Sequence, residues 1–500
     1  TMARRRLHEA LGGQRLTRAE HEQALPPLRD AMLEAQYELR QRRDRSVVLV
    51  VTGIPAAGRS EVVNDLLGWL DPKHVTTHGF RERNDTERAR PPLWRYWRLL
   101  PPKGSIAVLY GGWYRELLLE ALELDGAARR LPAVLRRDVE RIVQLERMLV
   151  ADGVTIAKLH LHVSPETQSK RLDKLAGDKL TRWRVTREDR WMARHYREVE
   201  RSFERCVEAT DHAAAPWQVI DGTDAQHRAF EVGRRLLAAL TNEPAPAATG
   251  GTRVPRARLP RSAKRLDVTG GAASPPGDAE YESELERLQG RLALLSRRKR
   301  FARRAVVAAF EGMDASGKGG AIRRVTAALD ARQYRVVPIS APTPDELARP
   351  YLWRFWCQLP PRGNFTIFDR SWYGRVLVER VRGFAAPRDW QRAYDEIVEF
   401  ERQLVEHGVV VAKFWLAVSP QVQLERFTER DRNPLKRFKV DPEDWTNRKH
   451  WAQYQRAAQE MVARTDSAHA SWTVVAADDK RYARLQVLRT LGDLVETALD

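Results

Sequence analysis

Residues 305–325 read AVVAAFEGMDASGKGGAIRRV and combine three signals in a fixed order. The apolar run 305–310 predicts a buried strand, the glycine-rich segment Gly312–Lys318 predicts a tight loop, and the apolar spacing of 321–325 predicts a helix. A damaged counterpart of the loop, GIPAAGR at Gly53–Arg59, lies about 260 residues earlier. The order strand, glycine loop and helix therefore predicts a parallel α/β domain that occurs twice.

A loop of this kind, placed between a strand and a helix, directs backbone N–H groups towards phosphate oxygens. Lys318 adds a mobile positive charge. We therefore predict that the loop binds phosphate through Gly312, Ser316, Gly317 and Gly319, with Lys318 as an additional cation at the phosphate. Because Gly319 stands where Ser or Thr usually holds magnesium, any metal ion at this loop must be held by carboxylates, and Asp314 is the nearest candidate.

Two complete copies of one domain explain the internal repeats. LWRYW at 93–97 recurs as LWRFW at 352–356, and GVTIAK at 153–158 recurs as GVVVAK at 408–413. Pro, Ala, Gly and Arg dominate the stretch between the copies, without a steady apolar period. We predict a first domain at 1–241, a flexible linker at 242–280 and a second domain at 281–500.

Strands and helical segments alternate within the second copy. Apolar runs at 336–339, 365–368, 409–418 and 472–476 are separated by longer helical stretches. This alternation predicts the α/β fold class, with two tandem P-loop kinase-like domains, each a mostly parallel sheet with helices on both faces and a lid. Ligands of such sheets bind where the strands end, so the other strand ends should carry reactive groups.

The segment that supplies those groups is Asp369-Arg370-Ser371-Trp372-Tyr373-Gly374-Arg375, directly after an apolar strand. Asp369 can hold magnesium or manganese directly or through water, so Asp314 and Asp369 are the predicted metal ligands. Arg370 and Arg375 are predicted to neutralise charge on the transferred group. Cations concentrate again between Arg426 and Lys439, and we interpret that stretch as a basic lid that excludes water from the site.

Charge and composition limit the partners. The net charge is +19 and the pI is about 10.1, which favours a polyanionic partner. The segment 409–415, the most apolar one, contains Lys413, so no membrane partner is expected. Cys206 and Cys357 fall in different copies, and we expect a cytoplasmic protein. No motif for binding nucleic acid accompanies the charge, and the sequence leaves a homo-oligomer open.

Four motifs together resemble the polyphosphate kinase 2 family: GMDASGKG at 312–319, DRSWYGR at 369–375, KRFK at 436–439 and ADDKR at 477–481. The tandem arrangement resembles polyphosphate:AMP phosphotransferases, which transfer the terminal phosphoryl group of inorganic polyphosphate to AMP with magnesium and form ADP. The resemblance implies catalytic or phosphate-positioning roles for Asp314, Lys318, Asp369, Arg370 and Arg375. It also places Lys436, Arg437 and Lys439 in a phosphate-binding lid.

The sequence leaves three alternatives open. The acceptor is ADP or GDP in place of AMP, the chain is an ATP-dependent nucleoside monophosphate kinase, or it is a non-enzymatic protein that binds polyanions or nucleic acid. Asp314 has two alternative roles, as a metal ligand or as the group that orients the acceptor phosphate. Arg59 on an intact glycine framework leaves the first copy as either a packing partner or a residual polyphosphate-binding module.

Overall fold

A computed structural model gives the fold of the chain and describes residues 7, 11, 15–125, 131–241, 266, 277–433 and 442–500. Within these residues it contains two five-stranded sheets, one in each copy of the repeat, and every strand pair in both is parallel. The strands are β1 Ser46–Gly53, β2 Val75–Gly79, β3 Ile106–Tyr110, β4 Val154–His162, β5 Trp217–Asp221, β6 Ala305–Gly312, β7 Tyr334–Pro338, β8 Phe365–Asp369, β9 Val409–Ala417 and β10 Trp472–Ala476.

Helices connect consecutive strands in both copies. Those of the first copy are α1 Arg18–Arg42, α2 Arg59–Trp69, α3 Asp85–Arg88, α4 Trp94–Trp97, α5 Tyr114–Asp125, α6 Arg136–Ala151, α7 Pro165–Gly177, α8 Arg187–Arg194, α9 Tyr196–Thr210 and α10 Ala225–Thr241. Those of the second copy are α11 Asp278–Arg297, α12 Lys318–Thr326, α13 Pro344–Leu347, α14 Trp353–Trp356, α15 Val378–Val381, α16 Pro387–Glu406, α17 Pro420–Arg432, α18 Pro442–Lys449, α19 Trp451–Thr465 and α20 Lys480–Leu499. Short 3₁₀ helices lie at Pro72–His74, Ala133–Leu135, Arg182–Arg184, Lys299–Arg303 and Trp372–Arg375.

The strand order is the same in both sheets and places the glycine loop at the centre. The first sheet runs β2-β3-β1-β4-β5 and the second β7-β8-β6-β9-β10. The strand order reverses at β1 and β6, which gives each sheet a switch point where the carboxyl ends of neighbouring strands leave a crevice. Each glycine loop follows directly from that central strand, so it lies at the mouth of the crevice.

Both faces of each sheet are covered. Successive residues of a strand point to opposite faces, and the β1 residues Val47, Val48, Leu49 and Val50 are all fully buried. The core on one face of the first sheet joins β1 to helices α1, α2 and α10, and a matching core in the second copy joins β6 to α11, α12 and α20. The predicted fold class, two tandem parallel-sheet α/β domains, is confirmed.

The chain divides into two compact units that do not coincide with the two copies. The first unit comprises Thr1–Glu82, Arg95–Gly251 and Pro342–Trp353, and the second comprises Arg83–Trp94, Thr252–Ala341 and Arg354–Asp500. Within the first unit the amide of Lys103 donates to the Ala348 carbonyl at 2.7 Å. Within the second unit Arg362 makes the corresponding bond to Ala89 at 3.1 Å. A short segment of the opposite copy is therefore part of each unit.

Two predicted features lie largely or wholly outside the described residues. Of the predicted linker 242–280, the structure describes Leu266, which is buried, and residues 277–280, where α11 begins. The lid cations Lys436, Arg437 and Lys439 belong to the segment 434–441, which is not described. The described flanks of that segment are the helices α17 and α18.

Candidate active site of the second unit

The second glycine loop, Gly312–Lys318, holds its lysine against its own backbone. The Lys318 ammonium donates to the carbonyls of Gly312 at 2.8 Å and Met313 at 3.2 Å, and the side chain is 9% exposed. Burial lowers the pKa of Lys318, as does the positive charge of Arg370, while Asp314, Asp369 and Glu311 oppose that shift. The lysine therefore lies at the centre of a ring of charges that converge on the loop.

The backbone of the loop opens its helix towards the crevice. Gly317, at φ +103°, is the residue before the first turn of α12, and the next residue, Lys318, begins that helix. The first N–H groups of a helix have no intrahelical partner and carry partial positive charge, so this end attracts anions. Ala315 also adopts a left-handed conformation at φ +60°, which shows how tightly the loop turns.

Asp314 is fixed from three directions. One carboxylate oxygen accepts from Arg370 at 2.7 Å and the other from the Asn447 amide at 3.0 Å, while its carbonyl accepts from Gln423 at 2.9 Å. Asn447 is itself oriented by Arg382 at 3.1 Å. The side chain of Asp314 thus keeps one orientation at the rim of the loop before any ligand binds.

Arg370 reaches Asp314 from a strained backbone. Its φ is +63°, a left-handed conformation that costs an L-residue roughly 1–2 kcal/mol. Its amide donates to the Phe310 carbonyl at 3.0 Å, which ties the turn after β8 to the strand before the loop. Such strain concentrates at functional sites, where the surrounding structure enforces it.

These groups line one cavity of about 740 Å³, which we call the cationic cavity. Its described lining contains four carboxylates, including Asp369 at the end of β8, and its larger apolar residues are only Pro338 and Ile339. Seven cations also line it: Lys318, Arg323, Arg370, Arg426, Arg430, Lys480 and Arg484. Polar and positive walls of this kind suit a ligand that is anionic along its whole length.

The predicted site residues do not all reach this cavity. Asp314, Ser316, Gly317, Lys318, Gly319, Asp369 and Arg370 line it. Gly312 contributes its carbonyl to Lys318 behind the loop. Arg375 is not among the described lining residues, and its guanidinium pairs with Glu379 at 2.9 Å on the adjoining turn.

The Trp and Tyr of the segment after β8 belong to a buried network instead. Trp372 donates to Glu401 at 3.0 Å, and Lys413, which is fully buried, contacts Glu401 at 2.8 Å and the Thr465 carbonyl at 2.8 Å. Burial, followed by the charge of Glu401, raises the pKa of Tyr373 well above its usual range. The network holds the turn that presents Asp369 and Arg370.

Glu311, the residue before the loop, is the second buried carboxylate near the site. It accepts from the Ser371 hydroxyl at 2.8 Å. Burial raises the pKa of Glu311, and the bond from Ser371 and the charge of Lys318 act in the opposite direction. The bond between Ser371 and Glu311 thus connects the segment after β8 to the residue before the glycine loop, beneath the cavity.

Several contacts of the site lay outside the sequence predictions. Asn447 was not predicted from the sequence as a site residue. The repeat nevertheless offered a signal: Asp314 and Asn447 align with Pro55 and Met192, so both partners of this hydrogen bond differ between the copies. Arg426 donates to the carbonyls of Ala315 at 2.9 Å and Ala477 at 2.7 Å. It therefore joins the loop to the segment after β10.

The first unit keeps the loop backbone without these groups. Its Gly53, Ala56 and Gly58 have φ values of +155°, +60° and +95°, close to those of the second loop. Five site residues differ between the copies: Asp314, Lys318, Asp369, Arg370 and Arg375 align with Pro55, Arg59, Tyr110, Gly111 and Glu116. The carboxylates that could hold a metal ion are therefore missing from the first loop.

Arg228 adds a further difference. Its buried guanidinium lies so close to Gly58 that a Cβ there would meet it at 2.2 Å, and it donates to the Gly222 carbonyl at 3.1 Å. The matching residue of the second unit is Ala483, and a Cβ on Gly317 would meet nothing within 4 Å. The space that is open beside the second loop is filled beside the first.

The donor set of the cationic cavity fits a hard divalent cation. Asp314 and Asp369 supply carboxylate oxygens at one cavity, next to Lys318. Among the residues that the structure describes, no cluster of three or more His, Cys, Asp or Glu side chains forms a closed metal site. One or two carboxylates are what magnesium uses when phosphate oxygens and water complete its shell.

The family model, the relatives and the solved structure that match this chain agree with one another. The family model for Polyphosphate kinase 2 matches residues 15–247 and 277–499. The chain is 46% identical to a polyphosphate:AMP phosphotransferase of Pseudomonas syringae pv. tomato, with 96% of each chain covered. It is 45% identical to a protein of the same name from Pseudomonas aeruginosa, over 97% of this chain and 98% of the other. A crystal structure of a polyphosphate kinase 2 from Pseudomonas aeruginosa PA01 superimposes with a TM-score of 0.86 at 42% identity, covering 98% and 99% of the chains.

Throughout the described part of the chain, no helix has both the length and the apolar composition of a transmembrane segment.

Proposed function

Because the chain belongs to the polyphosphate kinase 2 family, we propose that it transfers the terminal phosphoryl group of inorganic polyphosphate to AMP. The products are ADP and a polyphosphate shorter by one phosphate. Support comes from full-length relatives that carry the name of this activity. Within this proposal residues 281–500 perform the catalysis and residues 1–241 do not.

The observation that best supports this proposal is the composition of the cationic cavity. Seven cations surround a phosphate loop, and the described lining offers no large apolar wall. A repeating anion is held by such a surface without regard to its length, since each phosphate meets an equivalent field. The donor in this reaction is a polymer of that kind.

The reaction is an in-line displacement at phosphorus. An oxygen of the AMP phosphate forms a bond to the terminal phosphorus of polyphosphate, and the bond from that phosphorus to the bridging oxygen breaks. The electron pair of that bond leaves on the shortened polyphosphate. Catalysis then consists of alignment and of neutralising charge on the three equatorial oxygens.

Each side chain of the site has a part in that step. Lys318 leaves its own loop carbonyls to contact phosphate oxygens, and the N–H groups at the start of α12 bind the same anion. Arg370, held by Asp314, lies at the rim where the transferred group passes and neutralises its charge. Arg375 acts through the turn that it shares with Glu379. Lys436, Arg437 and Lys439, which lie outside the described residues, keep the phosphate-binding role that the family resemblance implies.

Asp314 and Asp369 would hold a divalent cation, magnesium or manganese, which would neutralise phosphate charge when bound. Asp314 is already engaged by Arg370 and Asn447, whereas Asp369 stands at the end of its strand. Asp369 is therefore the principal ligand in our proposal. Asp314 either completes the metal site or orients the acceptor phosphate.

The test is a comparison of phosphoryl donors. The full-length protein is mixed with magnesium and AMP, and either long-chain polyphosphate or ATP is added. We expect ADP to form with polyphosphate and the polymer to shorten by one phosphate for each ADP. Formation of ADP only with ATP would refute the proposal and identify an ATP-dependent kinase. Replacing AMP by ADP or GDP in the same assay measures acceptor preference.

A further inference from the structure

The ion pair between Arg370 and Asp314 is made by one hydrogen bond, although these two groups are able to form two. Arg370 Nη2 donates to Asp314 Oδ1 at 2.7 Å, and within the described residues this is the one hydrogen bond of that guanidinium. An arginine beside a carboxylate frequently forms a planar fork of two parallel bonds. The surroundings of the second carboxylate oxygen therefore determine the geometry of the pair.

That second oxygen, Asp314 Oδ2, accepts from the side-chain amide of Asn447 at 3.0 Å. Asn447 lies on α18 and is not among the described residues that line the cationic cavity. It therefore acts on the site through Asp314 and not through a contact of its own with a ligand.

The orientation of the Asn447 amide is fixed by its other neighbours. Its Oδ1 accepts from Arg382 at 3.1 Å and from the Tyr454 hydroxyl at 3.2 Å. Because a guanidinium only donates, the amide oxygen must face Arg382 and the amide nitrogen must face Asp314. Arg382 also lies 4.0 Å from the carboxylate of Glu443, at the start of the same helix. The donor to Asp314 is thus set by groups further from the cavity.

We propose that Asn447 is a positioning residue for phosphoryl transfer, which occupies Asp314 Oδ2 and thereby limits the Arg370–Asp314 pair to one hydrogen bond. The Arg370 side chain is 44% exposed and lines the cationic cavity, so its remaining N–H groups are accessible. These groups then bind the oxygens of the transferred phosphoryl group. The inference rests on the proposed function, because it assigns a role at the same site.

Removal of the amide would change the partner of Arg370. Asp314 Oδ2 would then have no donor among the described residues, and the carboxylate would rotate to accept a second N–H from Arg370. The fork gains a charge-assisted bond, but it withdraws that N–H from the phosphate. A group outside the cavity therefore decides how much of the guanidinium serves the reaction.

The first unit lacks the whole arrangement. Four residues that form it in the second unit, Asp314, Arg370, Asn447 and Tyr454, align with Pro55, Gly111, Met192 and Val199. Asn447 thus differs between the copies together with the ion pair that it contacts. This joint difference groups Asn447 with the reacting side chains and not with the residues that both copies share.

The first test is a double-mutant comparison of turnover in the full-length protein. Asn447→Leu removes the donor at nearly constant volume, and we expect kcat to fall by about a hundredfold with a smaller change in KM for polyphosphate. In an Arg370→Lys background the same change should cost less than about threefold, because an ammonium forms no planar fork. Single-turnover reactions with radiolabelled polyphosphate measure the slow rates.

Equal losses in the two backgrounds would overturn the proposal, because a residue that only supports the local structure would act independently of Arg370. Met192→Leu, at the matching position of the first unit, is the control and should leave turnover unchanged. Circular dichroism verifies that each variant is folded.

The second test is crystallographic and needs no turnover. In crystals of the full-length protein grown without substrate, we expect one bond between Arg370 and Asp314 in the wild type and two in Asn447→Leu. A single bond in both proteins, or a fork already present in the wild type, would overturn the proposal.

Failure of the proposed function gives a different result. A wild type that forms ADP only with ATP would refute polyphosphate as the donor, and the comparison of Asn447→Leu in the two backgrounds is then made with ATP. The number of bonds between Arg370 and Asp314 does not depend on the donor.

Discussion

The two units have the same framework, but the side chains at their glycine loops differ. Glu146, Lys158 and Trp113 repeat the network of Glu401, Lys413 and Trp372, with the same lysine-to-carboxylate distance of 2.8 Å. Arg171 holds the first loop through the Ala56 carbonyl at 3.0 Å, as Arg426 holds the second through Ala315. Groups beneath the cavity are thus retained and groups that face it are replaced. The comparison separates residues that maintain the fold from residues to which we assign the chemistry.

Asp369→Asn should have the largest effect on turnover. It removes a carboxylate charge that the first unit also lacks, because Tyr110 stands at the matching position there. We expect phosphoryl transfer from polyphosphate to AMP to fall by about a thousandfold or more, since metal-ion stabilisation amounts to several kcal/mol. Tyr110→Phe is the matched control and should leave turnover unchanged. The measurement is ADP release at saturating substrates, with circular dichroism to verify the fold. Retained turnover would show that the metal ion is held elsewhere.

Glu401→Gln should destabilise the second unit by roughly 3–5 kcal/mol, because the fully buried Lys413 would lose its charged partner. Glu146→Gln should cause a loss of similar size in the first unit, where Lys158 is equally buried. Urea unfolding followed by tryptophan fluorescence measures both. A large effect in only one unit would contradict the idea that the network is a shared structural element.

Ala483→Arg should fill the space beside the second loop, as Arg228 fills the matching space beside the first. An arginine beside Gly317 would occupy the side of the loop that is open in the cationic cavity. We expect turnover to fall by about a hundredfold, since small displacements of reacting groups have costs of that order. Ala483→Ser is the control for the position itself. Unchanged turnover with the same KM for polyphosphate would show that the donor does not pass this side of the loop.

Arg370→Gly and Arg370→Ala should differ by about 1 kcal/mol in unfolding free energy, the smallest effect of this series. Both variants lack the guanidinium, so both should lose turnover. Only glycine relieves the left-handed conformation at φ +63°. The first unit already has Gly111 at this position, with φ +82°, and Gly111→Ala should be destabilising there. Equal stabilities of the two Arg370 variants in urea unfolding would show that the backbone is not strained.

The features that could be predicted from the sequence are those that depend on residues close together along the chain. The strand before Gly312, the loop and the helix that begins at Lys318 follow from local patterns, and Asp369 stands at a strand end as its position predicts. The bond from Asn447 to Asp314 spans 133 residues and arises only when α18 meets the loop. Arg228 likewise reaches Gly58 through the packing of α10. Such contacts depend on tertiary packing, which no local pattern records.

The short segments exchanged between the two copies determine when each unit can be completed during synthesis. The first unit includes Pro342–Trp353, so a nascent chain lacks one of its segments until the ribosome has passed residue 353. Arg83–Trp94, in contrast, is synthesised long before the second unit that contains it. Cutting the chain between the copies would leave two fragments that each lack a segment. The first unit is therefore complete only after part of the second copy has been synthesised.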